Sequence, residues 1–163
     1  MEDRMHHTHN TLSENIRGQS VELLNRHLAA AIDLHGQIKQ AHWNVRGSGF
    51  GAVHELFDNI AVEVETYSDL IAERAGALGG TAHGTIQVAA DRSFLVPYTL
   101  GVAESRQHIF ALSQAVSAFG QSVREAIGLS TAHGDPGTAD LFTEVCRGMD
   151  RQLWLIESHA VLS

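Results

Sequence analysis

KQAHWNVRGSGFGAVHELFDNIAVEVETYSDLIAERAGALGG, residues 39–80, divides into the end of one helix, a glycine turn and a second long helix. Its glycines, at Arg46-Gly47-Ser48-Gly49, permit the positive φ that breaks a helix. It carries two histidines, His42 and His54, and three carboxylates, Asp58, Asp69 and Glu73. With His54 at 0° and about 100° per residue, Glu65 falls near 20°, Asp58 near 40°, Asp69 near 60° and Glu73 near 100°. The apolar residues of the same helix centre at about 250°, almost opposite. The second helix therefore bears an acidic stripe, headed by one histidine, that faces away from its own core. Imidazole with carboxylate suits Fe(II), Mn(II) or Zn(II). Two readings of the stripe stay open at this level: a solvated face, or a face that meets a second subunit.

The rest of the chain is helical punctuation around that stretch. The first helix is expected from near Ser20, with Leu23, Leu24, Leu28, Ala31, Leu34, Ile38 and Ala41 on one arc. The second spans about Gly51 to Leu78, stopped by Gly79-Gly80. Thr81 to Thr99 is a long crossover, in which Thr85–Ala90 is a small helix or a buried extended piece. The third helix is expected over about Gly101 to Ile127, followed by a break at Gly128–Gly134. The fourth starts at Asp135 or Thr138. Four long helices with this connectivity predict an all-α fold: a ferritin-like four-helix bundle with a short helix in the long crossover, over residues 20–163. Residues 1–19 are expected to be a flexible polar tail with His6, His7 and His9.

Composition excludes several classes. The chain has 163 residues, 44% hydrophobic and 18% charged, enough for one domain with a real core. The net charge of −8 and a single lysine, Lys39, leave no basic run of the kind a nucleic-acid binder needs. Cys146 is the only cysteine, so no intrachain disulfide forms, which fits the cytoplasm. No secretory signal and no membrane-length apolar run is read in the sequence. A di-metal centre inside one bundle usually needs Glu-x-x-His motifs, and none occurs here.

KQAHWNVRG, F-x-x-V-H-E-L-F-D at 50–58, D-L-I-A-E-R at 69–74, L-G-G at 78–80 and RQLWLIES at 151–158 together resemble the Dps-type mini-ferritins. The similarity covers roughly Val21 to Ser158. It implies a ferroxidase centre between two-fold related subunits, with His42 and His54 from one and Asp58, Asp69 and Glu73 from its partner. It implies that Trp43 lies beside the centre, where it can take up an oxidising equivalent; a purely structural tryptophan suits the position equally. It implies Fe(II) and hydrogen peroxide, or dioxygen, as substrates, Fe(III) mineral as product and no organic cofactor. The resemblance also implies a homododecamer with acidic pores, for which Asp135, Asp140 and Glu144 are candidates. The same three residues equally suit a helix N-terminus. Glu55, Glu63 and Glu65 are candidates for the inner wall. DNA-binding relatives carry lysine-rich tails; this tail has none, so DNA binding is expected to be weak or absent at neutral pH. The alternative is a nucleoid-associated, DNA-condensing protein with iron handling secondary. His27, His35, His83, His108, His133 and His159 receive no role.

Overall fold

The computed structural model describes residues 5–160. Five helices follow one another: α1 (Glu14–Asn44), α2 (Phe50–Ala77), α3 (Ile86–Arg92), α4 (Ser105–His133) and α5 (Pro136–Ser158). α1 packs along α2 and α4 along α5, and α1 against α4 joins the two hairpins. The short α3 lies on α1 within the crossover. The all-α four-helix bundle with a short crossover helix is the fold observed.

The core fills because the apolar arcs meet. Leu24, Leu34 and Ile38 of α1, Phe57, Ile60 and Ile71 of α2, Leu112 and Phe119 of α4, and Phe142, Met149 and Ile156 of α5 are wholly or almost wholly buried. Each such side chain contributes roughly 1.5–3 kcal/mol relative to exposure. One polar residue is built into this core. His27 Nδ1 donates to the Leu23 carbonyl at 2.8 Å, Nε2 meets Ser122 Oγ at 3.0 Å, and the rings of Phe94, Phe119 and Phe142 surround it. Burial lowers its pKa.

Three boundaries differ from expectation. α1 begins at Glu14, not near Ser20, because Ser13 caps it by accepting from the Ile16 N–H. Ser20 is instead buried inside the helix and donates to Asp135 at 2.8 Å. α4 begins at Ser105 rather than Gly101 and runs through Gly128 to His133. A single glycine is tolerated in a well-packed helix, and the actual stop is the left-handed Gly134. Residues 14–19 thus belong to α1. The segment before it lies on the turn after α2, with the His6 N–H donating to Gly79 O at 2.7 Å, and Arg17 of α1 donates to Leu78 O at 2.8 Å.

Candidate metal centre

The α1–α2 turn brings His42 and His54 face to face. Gly47 and Gly49, at φ 99° and 74°, reverse the chain within a few residues. The two imidazoles stack with centroids 3.7 Å apart and planes 20° apart. Each Nδ1–H donates to the other residue's backbone carbonyl, both at 2.8 Å. A carbonyl can only accept, so the proton of each neutral ring sits on Nδ1 and Nε2 keeps its lone pair. Both rings are held by backbone in a ligand-ready tautomer.

Asp58 lies one turn beyond His54. Its Oδ1 is 3.8 Å from His42 Nε2 and 2.7 Å from Lys39 Nζ in the same chain. The Lys39 hydrogen bond holds its carboxyl below the usual pKa, and the Lys39 charge adds to the effect. Within one chain Asp58 thus stands beside His42 and His54, apart from Asp69 and Glu73. Helical register explains why, since His54 and Asp58 are i,i+4 neighbours.

Asp69 and Glu73 are exposed on the same helix, one turn apart. Asp69 is eleven residues past Asp58, about 16 Å along the axis, so it cannot share an ion with the histidines of its own chain. It lines a shallow cleft with His35, Glu65 and Ser68. Among the described residues of one chain, no three His, Cys, Asp or Glu side chains converge closely enough to hold a metal ion. The stripe does face outward: Glu65, Asp69 and Glu73 are exposed while Phe57, Ile60, Val64 and Ile71 opposite are buried. Trp43 stands beside the histidines, 68% exposed, with Lys39 Nζ 5.8 Å from its ring centroid. Lys39 was quoted in the opening stretch without a role. Its signal was available, because the chain's only lysine sits three residues before His42 on the same helix face.

The pore candidates separate. Asp135 is 1% exposed. It accepts from Ser20, from Arg74 NH2 at 2.7 Å and from the Thr138 hydroxyl and N–H, capping α5. Burial pushes its carboxyl up, but those donors outweigh burial and hold its pKa low. It therefore lines no channel, a correction that follows from its capping geometry. Asp140 and Glu144 remain exposed, one turn apart on α5. Of the inner-wall candidates, Glu55 and Glu65 are exposed, whereas Glu63 accepts from Tyr67 and Gln152 at the α2–α5 contact. Cys146 is buried.

Comparison with known proteins agrees with this architecture. The family model described as "Ferritin-like domain" matches residues 21–162. A "DNA protection during starvation protein" of Agrobacterium fabrum is 39% identical over 156 residues, covering 96% of each chain. The solved structure of "DpsC from Streptomyces coelicolor" superposes with a TM-score of 0.92 at 31% identity, covering 98% of this chain and 93% of that one. A Mycobacterium smegmatis Dps structure gives 0.90 at 26% identity, covering 96% and 94%. On its bundle, its crossover helix and these matches over nearly its whole length, the chain belongs to the ferritin-like family as a Dps-type mini-ferritin.

Proposed function

We propose that this chain is a ferroxidase and iron-storage subunit, active as a cytoplasmic homododecamer. The observation that carries the reading is the reciprocal His42–His54 clasp, which leaves two imidazole Nε2 lone pairs near Asp58 on an outward face. One subunit supplies His42, His54 and Asp58. Its two-fold partner supplies Asp69 and Glu73, which the length of α2 keeps from their own histidines. Trp43, exposed in the single chain, lies at that seam, as an isologous interface would place an apolar residue.

Fe(II) is the substrate. The side chains above hold a pair of Fe(II) ions, which deliver two electrons to hydrogen peroxide. With two protons the products are two Fe(III) and two waters, so no hydroxyl radical is released. Hard carboxylates favour Fe(III) as it forms, and the low ligand count leaves room for oxidant. Lys39 occupies the cation position beside Asp58 until iron arrives, so binding requires its ammonium to swing away. Dioxygen is the slower oxidant. Fe(III) then passes inward as mineral, and Asp140 with Glu144 serves Fe(II) entry.

Protection of DNA follows from removing iron and peroxide together. Direct DNA binding is not favoured. Arg17 is 8% exposed and its guanidinium donates to the carbonyls of Leu12 and Leu78, so it does not reach a phosphate. Anaerobic Fe(II) mixed with peroxide tests the reading. The double variant His42→Gly/His54→Gly is expected to oxidise iron at least about tenfold more slowly than wild type. Equal rates would remove the site.

A further inference from the structure

The chain has two tyrosines, and each phenol meets a base at 2.5 Å: Tyr67 with Glu63 Oε1, and Tyr98 with His108 Nδ1. The second pair stands near the candidate centre. His108 is 1% exposed in the first turn of α4. That turn docks on the end of α1, through Arg46 N–H to Ala103 O at 2.8 Å and Ser105 Oγ to Arg46 O at 3.0 Å. His108 Nε2 is buried without a hydrogen-bond partner among the described residues, and its other nitrogen, Nδ1, faces the phenol. Burial lowers the imidazole pKa and pushes the Tyr98 phenol up to about 12. The proton therefore rests on the phenol, which has no other acceptor among the described residues, and a neutral imidazole stands ready to receive it.

We infer that Tyr98 and His108 form a proton-coupled redox pair that intercepts one-electron oxidants generated near Trp43. In the forward step Tyr98 gives one electron to the oxidant: the hydroxyl radical that a single, unpaired Fe(II) makes from peroxide, with Fe(III) and hydroxide as the other products, is reduced to hydroxide. Its phenolic proton crosses to His108 Nδ1, leaving a neutral phenoxyl radical and an imidazolium. In the return step one Fe(II) supplies an electron and becomes Fe(III), and the proton goes back to the phenol. Burial explains the need for the base: a phenol in an apolar site is a poor one-electron donor unless its proton can leave with the electron. The iron-derived source of oxidant rests on the ferroxidase reading; the redox pair itself does not.

Electron paramagnetic resonance on the assembled protein tests this with two independent oxidants. One is Fe(II) with excess peroxide. The other is a ruthenium tris-bipyridyl photo-oxidant with persulfate on iron-free protein. A tyrosyl signal is expected with both, lost in Tyr98→Phe and kept in Tyr67→Phe. His108→Gln keeps a polar side chain but takes no proton, and is expected to lower the photo-oxidant yield at least about tenfold while leaving the helical circular dichroism unchanged. A signal that survives Tyr98→Phe, or a full yield in His108→Gln, would overturn the pair. A Tyr98 signal with the photo-oxidant alone supports the pair and contradicts the iron chemistry instead.

Discussion

At the scale of single residues, the clearest consequences concern charge. Lys39 holds Asp58 ionised and also competes with a metal cation for it. Replacing it by methionine keeps the apolar stem beside Trp43 and removes the competitor. Lys39→Met is expected to bind Fe(II) about fivefold more tightly at pH 7 in an anaerobic titration, on the scale of an exposed ion pair. Unchanged or weaker binding would deny Lys39 that role. His27 and His108 carry the opposite kind of signal. Burial lowers the pKa of both below 6.5, so the unfolded chain takes up their protons first as pH falls. Stability is therefore full above pH 6.5 and declines below it, by up to about 1.4 kcal/mol per pH unit for each histidine until its folded pKa is reached. Urea unfolding at pH 7 and 5.5 checks this, and His27→Gln is expected to remove its share of the slope. The five candidate ligands were legible as residue types and spacings. The clasp between His42 and His54 was not, because it depends on how two backbones cross, and the division of ligands between subunits came with the family resemblance, which carries no distance between Asp58 and His42.

At the scale of elements, the test cases are a cap and a close contact. Asp135 is buried with Arg74, Ser20 and Thr138 all bonded to it. Asp135→Ala strands those donors and is expected to destabilise the fold by about 3 kcal/mol or more in urea unfolding. Asp140→Ala, on the exposed face, is expected to stay within about 0.5 kcal/mol of wild type while slowing Fe(II) uptake. A Cβ at position 148 would fall on the Tyr67 hydroxyl, so Gly148→Ala is expected to cost about 1–3 kcal/mol by overpacking. Helix number, order and the crossover helix were legible because apolar periodicity persists over several turns in each long segment. The ends were less so. Ser13 and Ser20 are equal as capping residue types, and only the burial of Ser20 against Asp135 tells them apart. Gly128 and Gly134 are likewise equal in sequence; packing along α5 carries the helix through the first and lets it stop at the second.

At the scale of the whole molecule, the account depends on assembly. One subunit exposes Trp43, Val62, Phe110 and Trp154 and divides its candidate ligands between the facing ends of α1 and α2 and a stretch of α2 about 16 Å further along. A twelve-subunit particle is expected by native mass spectrometry, and a monomer would leave the site incomplete. The most direct measurement uses two inactive parents. His42→Gly/His54→Gly subunits are coassembled in equal amounts with Asp69→Ala/Glu73→Ala subunits, and peroxide-driven Fe(II) oxidation is followed. In a mixed two-fold pair, one of the two sites then receives an intact half from each parent. Random coassembly is predicted to restore about one quarter of the wild-type rate, because half the pairs are mixed and half their sites are whole. A mixture no faster than either parent alone would contradict a centre shared between two copies of the chain.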